Sequence, residues 1–353
     1  MPVHFTREDW ARIRTVYGQW WAGTLDRPLI KAVAEKAFDP GRHAPRVQRI
    51  GQHNCHDFSV SPADIIDAID YELCGMKFLG DAFPYVNFDV FGPGVLAAFC
   101  GARLDNSSGR VWLFPEENLP IQDIHIHYNK ENTWLQRIKE IYRAGHERWG
   151  GNVLMSLPDL GGNLDTVAVF RGSENLLMDL YDEPEEVHRL CREAQTAWWE
   201  AYRDLSSALF PMNPGYSDWS GLYSAEPSFI LQSDFSYMIG PDMFSEFVLP
   251  YLLEDCKKLG NAIYHLDGIG ELPHLDMLLN IKELNAVQWV YGDGQPTARH
   301  WIDIYKRIEA AGKRIYVMGD AEDFAAVSAA VRHGLYVNLG TAEADAARAM
   351  LGG

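Results

Sequence analysis

The chain has few cysteines, no long apolar run and little positive charge. Its five cysteines, among 353 residues, are scattered and form no Cys-x-x-Cys pair, which favours free thiols in a reducing cytosol. No apolar run approaches the ~20 residues of a membrane span, and the first ten residues contain no apolar signal segment. We therefore expect a soluble, cytoplasmic protein without a membrane partner.

Acidic residues outnumber basic ones by 49 to 31, which gives a net charge of −18. A surplus of this size disfavours nonspecific binding to nucleic acids and to anionic membrane surfaces. We therefore expect a small-molecule substrate and no nucleic-acid partner.

Strand-like and helix-like segments alternate along the chain, which predicts a parallel sheet with right-handed crossovers. The predicted helices include residues 184–205, 241–259 and 301–311. The predicted strands are residues 28–35, 84–91, 152–157, 216–219, 229–233, 262–267, 286–290, 314–318 and 335–339. Because no linker interrupts the series, residues 1–353 are expected to form one α/β domain, a (β/α)₈ TIM barrel.

Two segments stand outside this alternation. Residues 1–27 are expected to form an N-terminal helical extension, with a helix over 6–23 capped by Thr6. The aromatic face of this helix predicts packing against the body of the protein; the alternative is an aromatic wall for a substrate. Residues 38–61 are predicted to be a long loop over the barrel mouth, where loops often carry function.

The most informative stretch is residues 262–268, an apolar strand that ends in His265, Asp267 and Gly268. Side chains two positions apart on a strand share a face, and ligands of α/β folds bind where strands end. Catalytic zinc accepts histidine nitrogen and carboxylate oxygen and usually has three protein ligands. His265 and Asp267 are therefore candidate ligands of a divalent metal, with zinc favoured. The alternative is a hydrogen-bonded pair that binds substrate or closes the loop.

Asp234, Asp165 and Arg171 are candidate catalytic residues. Asp234 follows a predicted strand, so it is a candidate ligand, acid–base group or helix N-cap. Asp165 follows a Gly-Gly pair, which allows close approach of the backbone. Asp165 and Arg171 are expected to pair with each other or to bind an anionic substrate group through the guanidinium.

Five residues at strand ends and in loops are candidate substrate contacts. His56 lies in the long loop, within a His-Asn-Cys-His-Asp sequence from which one side chain could reach the site. Trp219, Trp289 and Asp293 lie at or just after the ends of predicted strands. Asn87 lies in the predicted strand 84–91 and is expected to point into the barrel mouth. For Asn87 a helix cap is the alternative, and for Asp293 a turn.

Several of these segments together resemble the uroporphyrinogen decarboxylase superfamily. The likeness extends over roughly two thirds of the chain and does not by itself fix a reaction. It implies a (β/α)₈ barrel, a homodimer and, in one branch, methyl transfer between corrinoid proteins and thiols or tetrahydrofolate. The segments that carry it are Ser233-Asp234-Phe235, the run from Met243 to Tyr251, Tyr264-His265-Leu266-Asp267-Gly268, Val317-Met318-Gly319-Asp320 and the run from Leu335 to Gly340.

The sequence departs from these relatives in its expected metal ligands. The methyltransferases hold zinc with His, Cys and a later Cys; here Asp267 replaces the first Cys and no cysteine follows Cys256. A His/Asp site is harder and suits oxygen ligands or a Lewis-acid role better. The arginine-rich segment with which the decarboxylase handles its porphyrinogen has no counterpart near residues 28–36.

We therefore expect a corrinoid-linked methyltransferase that acts on a small methylated substrate, with a divalent metal on His265 and Asp267 and a corrinoid protein as partner. An alternative is a metal-assisted lyase or decarboxylase of a small carboxylic acid, with Asp234 as acid–base group and Arg171 as carboxylate anchor. A third possibility is a noncatalytic small-molecule or corrinoid-binding module, which predicts no metal and no strongly perturbed carboxylate.

Overall fold

The fold is described by a computed structural model of residues 2–340. In this part of the chain twelve α-helices alternate with eleven β-strands. The strands are β1 (Leu29–Ala34), β2 (Lys77–Gly80), β3 (Tyr85–Val86), β4 (Arg103–Asp105), β5 (Trp112–Phe114), β6 (Leu154–Met155), β7 (Ser228–Leu231), β8 (Asn261–Asp267), β9 (Leu284–Val290), β10 (Arg314–Val317) and β11 (Leu335–Gly340). The helices are α1 (Arg7–Ala22), α2 (Pro62–Cys74), α3 (Leu96–Phe99), α4 (Thr133–Trp149), α5 (Asn163–Arg171), α6 (Ser173–Asp182), α7 (Pro184–Leu209), α8 (Pro241–Phe247), α9 (Leu249–Lys258), α10 (Leu275–Leu279), α11 (Ile302–Ala310) and α12 (Ala321–Ala330).

The central sheet has seven strands in the order β2-β1-β11-β10-β9-β8-β7. All of its neighbouring pairs are parallel except β1 with β2. The two short strands β3 and β6 form a separate parallel pair, and β4 and β5 form an antiparallel hairpin. The α/β class predicted from the alternating segments is therefore confirmed.

Helix α1 packs against the ends at which the strands begin. Thr6 caps the helix in a reciprocal pair with Asp9, as the sequence predicts. The indoles of Trp10 and Trp20 donate to the carbonyls of Asn152 and Gly334, which precede β6 and β11. The aromatic face of α1 therefore packs against the body of the protein, as the sequence predicts.

Four predicted elements differ from the structure, one of them the strand expected over 152–157, which is limited to Leu154–Met155. The helix expected over 241–259 is interrupted at Val248, because Pro250 lies in the first turn of α9 and cannot donate a backbone hydrogen bond. The strand expected over 84–91 ends at Val86 and gives way to a 3₁₀ turn. The strand expected over 216–219 is reduced to a single bridge between Tyr216 and Ser224.

Residues 38–61 form a segment without helix or strand, as predicted. Ion pairs of Arg42 with Asp67 and of Arg49 with Glu72 join this loop to α2. Of the predicted single domain, residue 1 and residues 341–353 lie outside the described residues. Within residues 2–340 no helix is long and apolar enough to cross a membrane.

Candidate metal centre

The centre of the site is the end of β8. The burial of this strand alternates near its end, so that His265 and Asp267 share a face while Leu266 is buried on the other. Gly268 follows with φ 81°, and a Cβ there would lie 2.8 Å from the ring of Tyr237. The chain can therefore turn sharply after Asp267, which leaves that side chain 41% exposed at the strand end.

Asp234 reaches the same place from the neighbouring strand. Strand β7 ends at Leu231, and a 3₁₀ turn that begins at Asp234 follows it. One potential ligand atom from each of Asp234, His265 and Asp267 lies within 4.8 Å of the others, and His265 Nε2 is 3.7 Å from Asp267 Oδ2. In the described part of the chain no other trio of His, Cys, Asp or Glu meets this spacing.

Gln288 orients the imidazole of His265. It lies opposite His265 in the register between β8 and β9, and its Oε1 is 2.5 Å from His265 Nδ1. The amide Nε2 of Gln288 donates to the sulfur of Met318 at 3.4 Å, which leaves Oε1 as the acceptor for the ring. A ligating histidine commonly donates its second N–H in this way, which fixes the tautomer that presents the other nitrogen. Nε2 of His265 is then the nitrogen that faces Asp234 and Asp267.

Carboxyl groups crowd this end of the sheet and perturb one another. Desolvation and the charge of Asp165 raise the pKa of Asp234 to about 7, although Asp234 is accessible from the cleft. Desolvation raises the pKa of Asp159 to about 8 and that of Glu271 to about 10. Burial alone lowers the pKa of His265, but the adjoining carboxylates outweigh it and the pKa is raised. Burial and mutual repulsion therefore favour the protonated forms of these carboxyl groups, and a divalent ion would relieve that repulsion.

Asp165 links two segments of the site. It lies in the first turn of α5, and its two oxygens accept from the backbone N–H of Gly162 at 3.0 Å and of Phe235 at 2.8 Å. The expected close approach of the Gly-Gly pair is present: a Cβ on Gly162 would lie 2.2 Å from the carbonyl oxygen of Gln232. Asp165 thus links α5 to the segment that carries Asp234; its charge acts on Asp234, while both of its oxygens accept from backbone donors.

Arg171 differs from the expectation. Its Nε is 2.5 Å from Asp179 Oδ2, and its Nη1 donates to the carbonyl of Leu119. It is the last residue of α5, six positions from Asp165, or about 9 Å along a helix. The expected pair between Asp165 and Arg171 is therefore not formed, because opposite ends of one helix hold the two side chains.

Of the predicted substrate contacts, Trp219 is the one that touches the cluster. Its ring meets that of His265 edge-on at 4.9 Å, and its indole N–H has no hydrogen-bond partner among residues 2–340. Trp289 is fully buried against Trp301, on the opposite face of β9 from Gln288. Strand alternation therefore directs Trp289 away from His265.

The remaining candidates lie around this centre. Asn87 Oδ1 accepts from the N–H of Asp89 at 2.9 Å, which turns the backbone locally, and no side chain of the described residues caps the 3₁₀ turn that follows by a hydrogen bond. Asp293 is exposed in a turn between Gly292 and Gly294, both with positive φ. His56 is exposed in the loop 38–61, where its Nδ1 is 2.6 Å from Asn106 Nδ2.

Sequence reasoning missed Gln288, Asp159 and Glu271. Asp159 carried a readable signal, since it follows the predicted strand 152–157 by two residues. No such signal marks Gln288, because its contact with His265 depends on how β8 and β9 align. Glu271 lies in a 3₁₀ turn after β8 and is completely buried.

A cleft of about 490 Å³ opens beside this cluster. Its walls combine the apolar side chains of Leu113, Phe114 and Met238 with the carboxylates of Asp165 and Asp234. Among the described residues that line it there is no lysine or arginine. The site thus offers one histidine nitrogen and two carboxylates to an ion, next to an acidic and partly apolar space for a bound molecule.

No protein-family model matches this chain, and no curated protein matches it.

Proposed function

We propose that this protein is a divalent-metal-dependent enzyme in which Asp234, His265 and Asp267 hold the ion. The convergence of these three side chains from two neighbouring strands carries the proposal. Zinc with three protein ligands keeps a fourth position open for water or substrate. Bound here, the ion would act as a Lewis acid toward a heteroatom of the substrate.

We also propose that the parallel strands close into a (β/α)₈ barrel, with β3 and β6 between β1 and β7. Two sets of contacts support this closure. The Nζ of Lys31 in β1 lies 4.6 Å from the ring centroid of Tyr85 in β3. The N–H of Leu157 donates to the carbonyl of Ser217 at 2.9 Å, and the carboxylate of Asp218 accepts from Ile230 in β7. A barrel brings every strand end to one mouth, which is where the cluster of acids lies.

The reaction that we propose is methyl transfer from a heteroatom of a small molecule to a reduced corrinoid on a partner protein, as the resemblance to the uroporphyrinogen decarboxylase superfamily implies. The electron pair of the broken carbon–heteroatom bond stays on the heteroatom, and the corrinoid supplies the pair for the new bond. The charged groups that line the cleft are carboxylates, so a neutral or cationic methyl donor is favoured there over an anion.

The two other functions have less support. A lyase for a small carboxylic acid needs an anchor for the carboxylate, and Arg171 is engaged by Asp179. A noncatalytic module predicts ordinary carboxyl groups, whereas burial raises the pKa of Asp159 to about 8. Perturbed groups of this kind are typical of catalytic clefts.

The metal is tested first, by equilibrium dialysis of the purified protein against zinc followed by elemental analysis. We expect about one equivalent in the wild type, none in His265→Ala, and the wild-type amount in His56→Ala. His56 is the matched control because it is an exposed histidine of the loop 38–61. Equal zinc contents in all three proteins would overturn the assignment of the ligands.

Methyl transfer is tested by following the spectrum of added cob(I)alamin with a panel of methylated amines, thioethers and aryl ethers. We expect conversion to methylcobalamin with a neutral or cationic donor, and loss of this activity in His265→Ala. Release of CO₂ from small acids without any methyl transfer would instead support the lyase. Metal binding without either reaction would count against methyl transfer and leave the metal site standing.

A further inference from the structure

Lys31 is a buried amine to which the metal centre gives no role. It lies in the middle of β1 with 5% of its surface exposed. Its Nζ donates to the carbonyl of Gly221 at 3.2 Å and lies 4.6 Å from the ring centroids of both Phe83 and Tyr85. No ion pair among residues 2–340 includes Lys31.

Lys313 shows what a satisfied buried lysine looks like in the same protein. It is 8% exposed, and its Nζ donates to two carbonyls, those of Ile281 at 2.5 Å and Leu284 at 2.7 Å. The amine of Lys31 has one longer hydrogen bond and the faces of two aromatic rings. These contacts compensate less well for the water that an ammonium group loses on burial. Burial lowers the pKa of Lys31 to about 7, and it lowers the pKa of Lys313 as well. A much larger fraction of Lys31 than of an ordinary lysine is then a free amine at neutral pH.

This amine borders a cavity of about 150 Å³. Most of the cavity lining is apolar or aromatic: Val33, Ile69, Leu73, Met76, Phe78, Phe83 and Tyr85. The other charged residues of the lining are Arg49 and Glu72, which are ion-paired to each other and partly exposed to solvent. The cavity therefore runs from a surface ion pair, supplied in part by the loop 38–61, to a buried amine.

We propose that Lys31 is the nucleophile of a second small-molecule site, which takes an uncharged aldehyde or ketone as a reversible imine. A neutral lysine in an apolar pocket is the form that attacks carbonyl carbon. The nitrogen adds to the carbonyl carbon, the resulting carbinolamine loses water, and C=N replaces C=O. Nothing is oxidised or reduced.

Size and lining define the ligand more closely. An apolar cavity of about this volume holds a benzene-sized molecule. The apolar lining next to the amine leaves no partner for a carboxylate or phosphate on the ligand at its buried end. Aromatic aldehydes with a single ring and short-chain aldehydes or ketones fit these requirements.

The test is reductive trapping with benzaldehyde and cyanoborohydride at pH 7, followed by peptide mass spectrometry. We expect the benzyl adduct to form on Lys31 about tenfold or more faster than on Lys313 or on exposed lysines. Val33→Phe, which fills the cavity and keeps the amine, should reduce labelling of Lys31 by about the same factor. His265→Ala should label like the wild type, so that failure of the metal proposal leaves this result unaffected.

Two outcomes would overturn the proposal. One is an adduct pattern spread over exposed lysines with none on Lys31. The other is undiminished labelling of Lys31 in a folded Val33→Phe protein, because the amine would then react without the cavity. Circular dichroism of each variant shows whether it is folded before its labelling is compared.

Discussion

Replacing Gln288 with leucine tests whether the orientation of His265 matters for binding a metal. Gln288 is 2% exposed, and its Oε1 accepts from the Nδ1 side of the imidazole at 2.5 Å. Leucine has a similar volume but no acceptor. In Gln288→Leu the buried Nδ1–H loses its partner, and the tautomer that presents Nε2 is no longer favoured.

The size of the effect follows from that single hydrogen bond. Leaving a buried donor unpaired costs about 1–3 kcal/mol, and each 1.4 kcal/mol corresponds to about tenfold in affinity. The partners of ligating histidines contribute about 10–100-fold to metal affinity. We therefore expect zinc to bind Gln288→Leu about 10–100-fold more weakly than the wild type. Gln288→Glu keeps an acceptor oxygen, so its affinity should be at least that of the wild type.

The assay is competition for zinc against a chromophoric chelator at fixed pH, with thermal unfolding of the metal-free proteins as the check on folding. Affinities of wild type and Gln288→Leu that agree within about twofold would refute the reasoning, since hydrogen bonds of this kind are worth more. Equal losses in Gln288→Leu and Gln288→Glu would show that the acceptor oxygen is not what matters at this position, since glutamate keeps it.

Four further results are expected. Asp234→Asn should weaken zinc binding measured with the same chelator, because a carboxylate ligand becomes a neutral amide; unchanged affinity would remove Asp234 from the site. Zinc affinity should fall as the pH is lowered, beginning above the ordinary histidine pKa of about 6.5, because the pKa of His265 is raised and its proton competes with the metal; a flat profile between pH 6 and 8 would contradict this. Arg171→Ala should lower the free energy of unfolding by about 1–3 kcal/mol through the lost bonds to Asp179, with zinc affinity unchanged; weaker zinc binding would restore a role for Arg171 at the site. Because the pKa of Lys31 is about 7 in the folded protein and near 10.5 otherwise, the unfolded chain binds the extra proton between these values and stability should rise with pH there; in Lys31→Met, urea unfolding should lose that rise.

The α/β class could be predicted because each strand and helix carries its own periodicity. Helix α1, α7 and strand β8 agree with the predicted segments to within a few residues. The errors occur where local patterns compete. Pro250 interrupts an apolar face that reads as one helix, and Asn87 turns the backbone in a run that reads as one strand.

The site could be predicted where it depends on strand ends and could not where it depends on register. His265, Asp267 and Asp234 follow buried runs, so their meeting at one edge of a parallel sheet is a consequence of topology. Which of Gln288 and Trp289 faces His265 depends on how β9 aligns with β8. A shift of one residue exchanges the two faces, and nothing in the order of the residues themselves fixes that alignment.

The aspartate at position 267 fits the surroundings in which the structure places it. A thiolate at position 267 would add one soft ligand to surroundings that are rich in oxygen ligands. This end of the sheet holds the carboxyl groups of Asp159, Asp165 and Glu271 around Asp234. Burial and mutual repulsion favour the protonated forms of these carboxyl groups, as the raised pKa of Asp234 indicates. An ion with oxygen ligands would release some of those protons, so metal binding and proton release should be coupled. A site of this kind polarises a substrate oxygen or nitrogen more readily than it activates a thiol, which is the chemical reason for expecting the methyl donor, and not a thiol acceptor, at this metal.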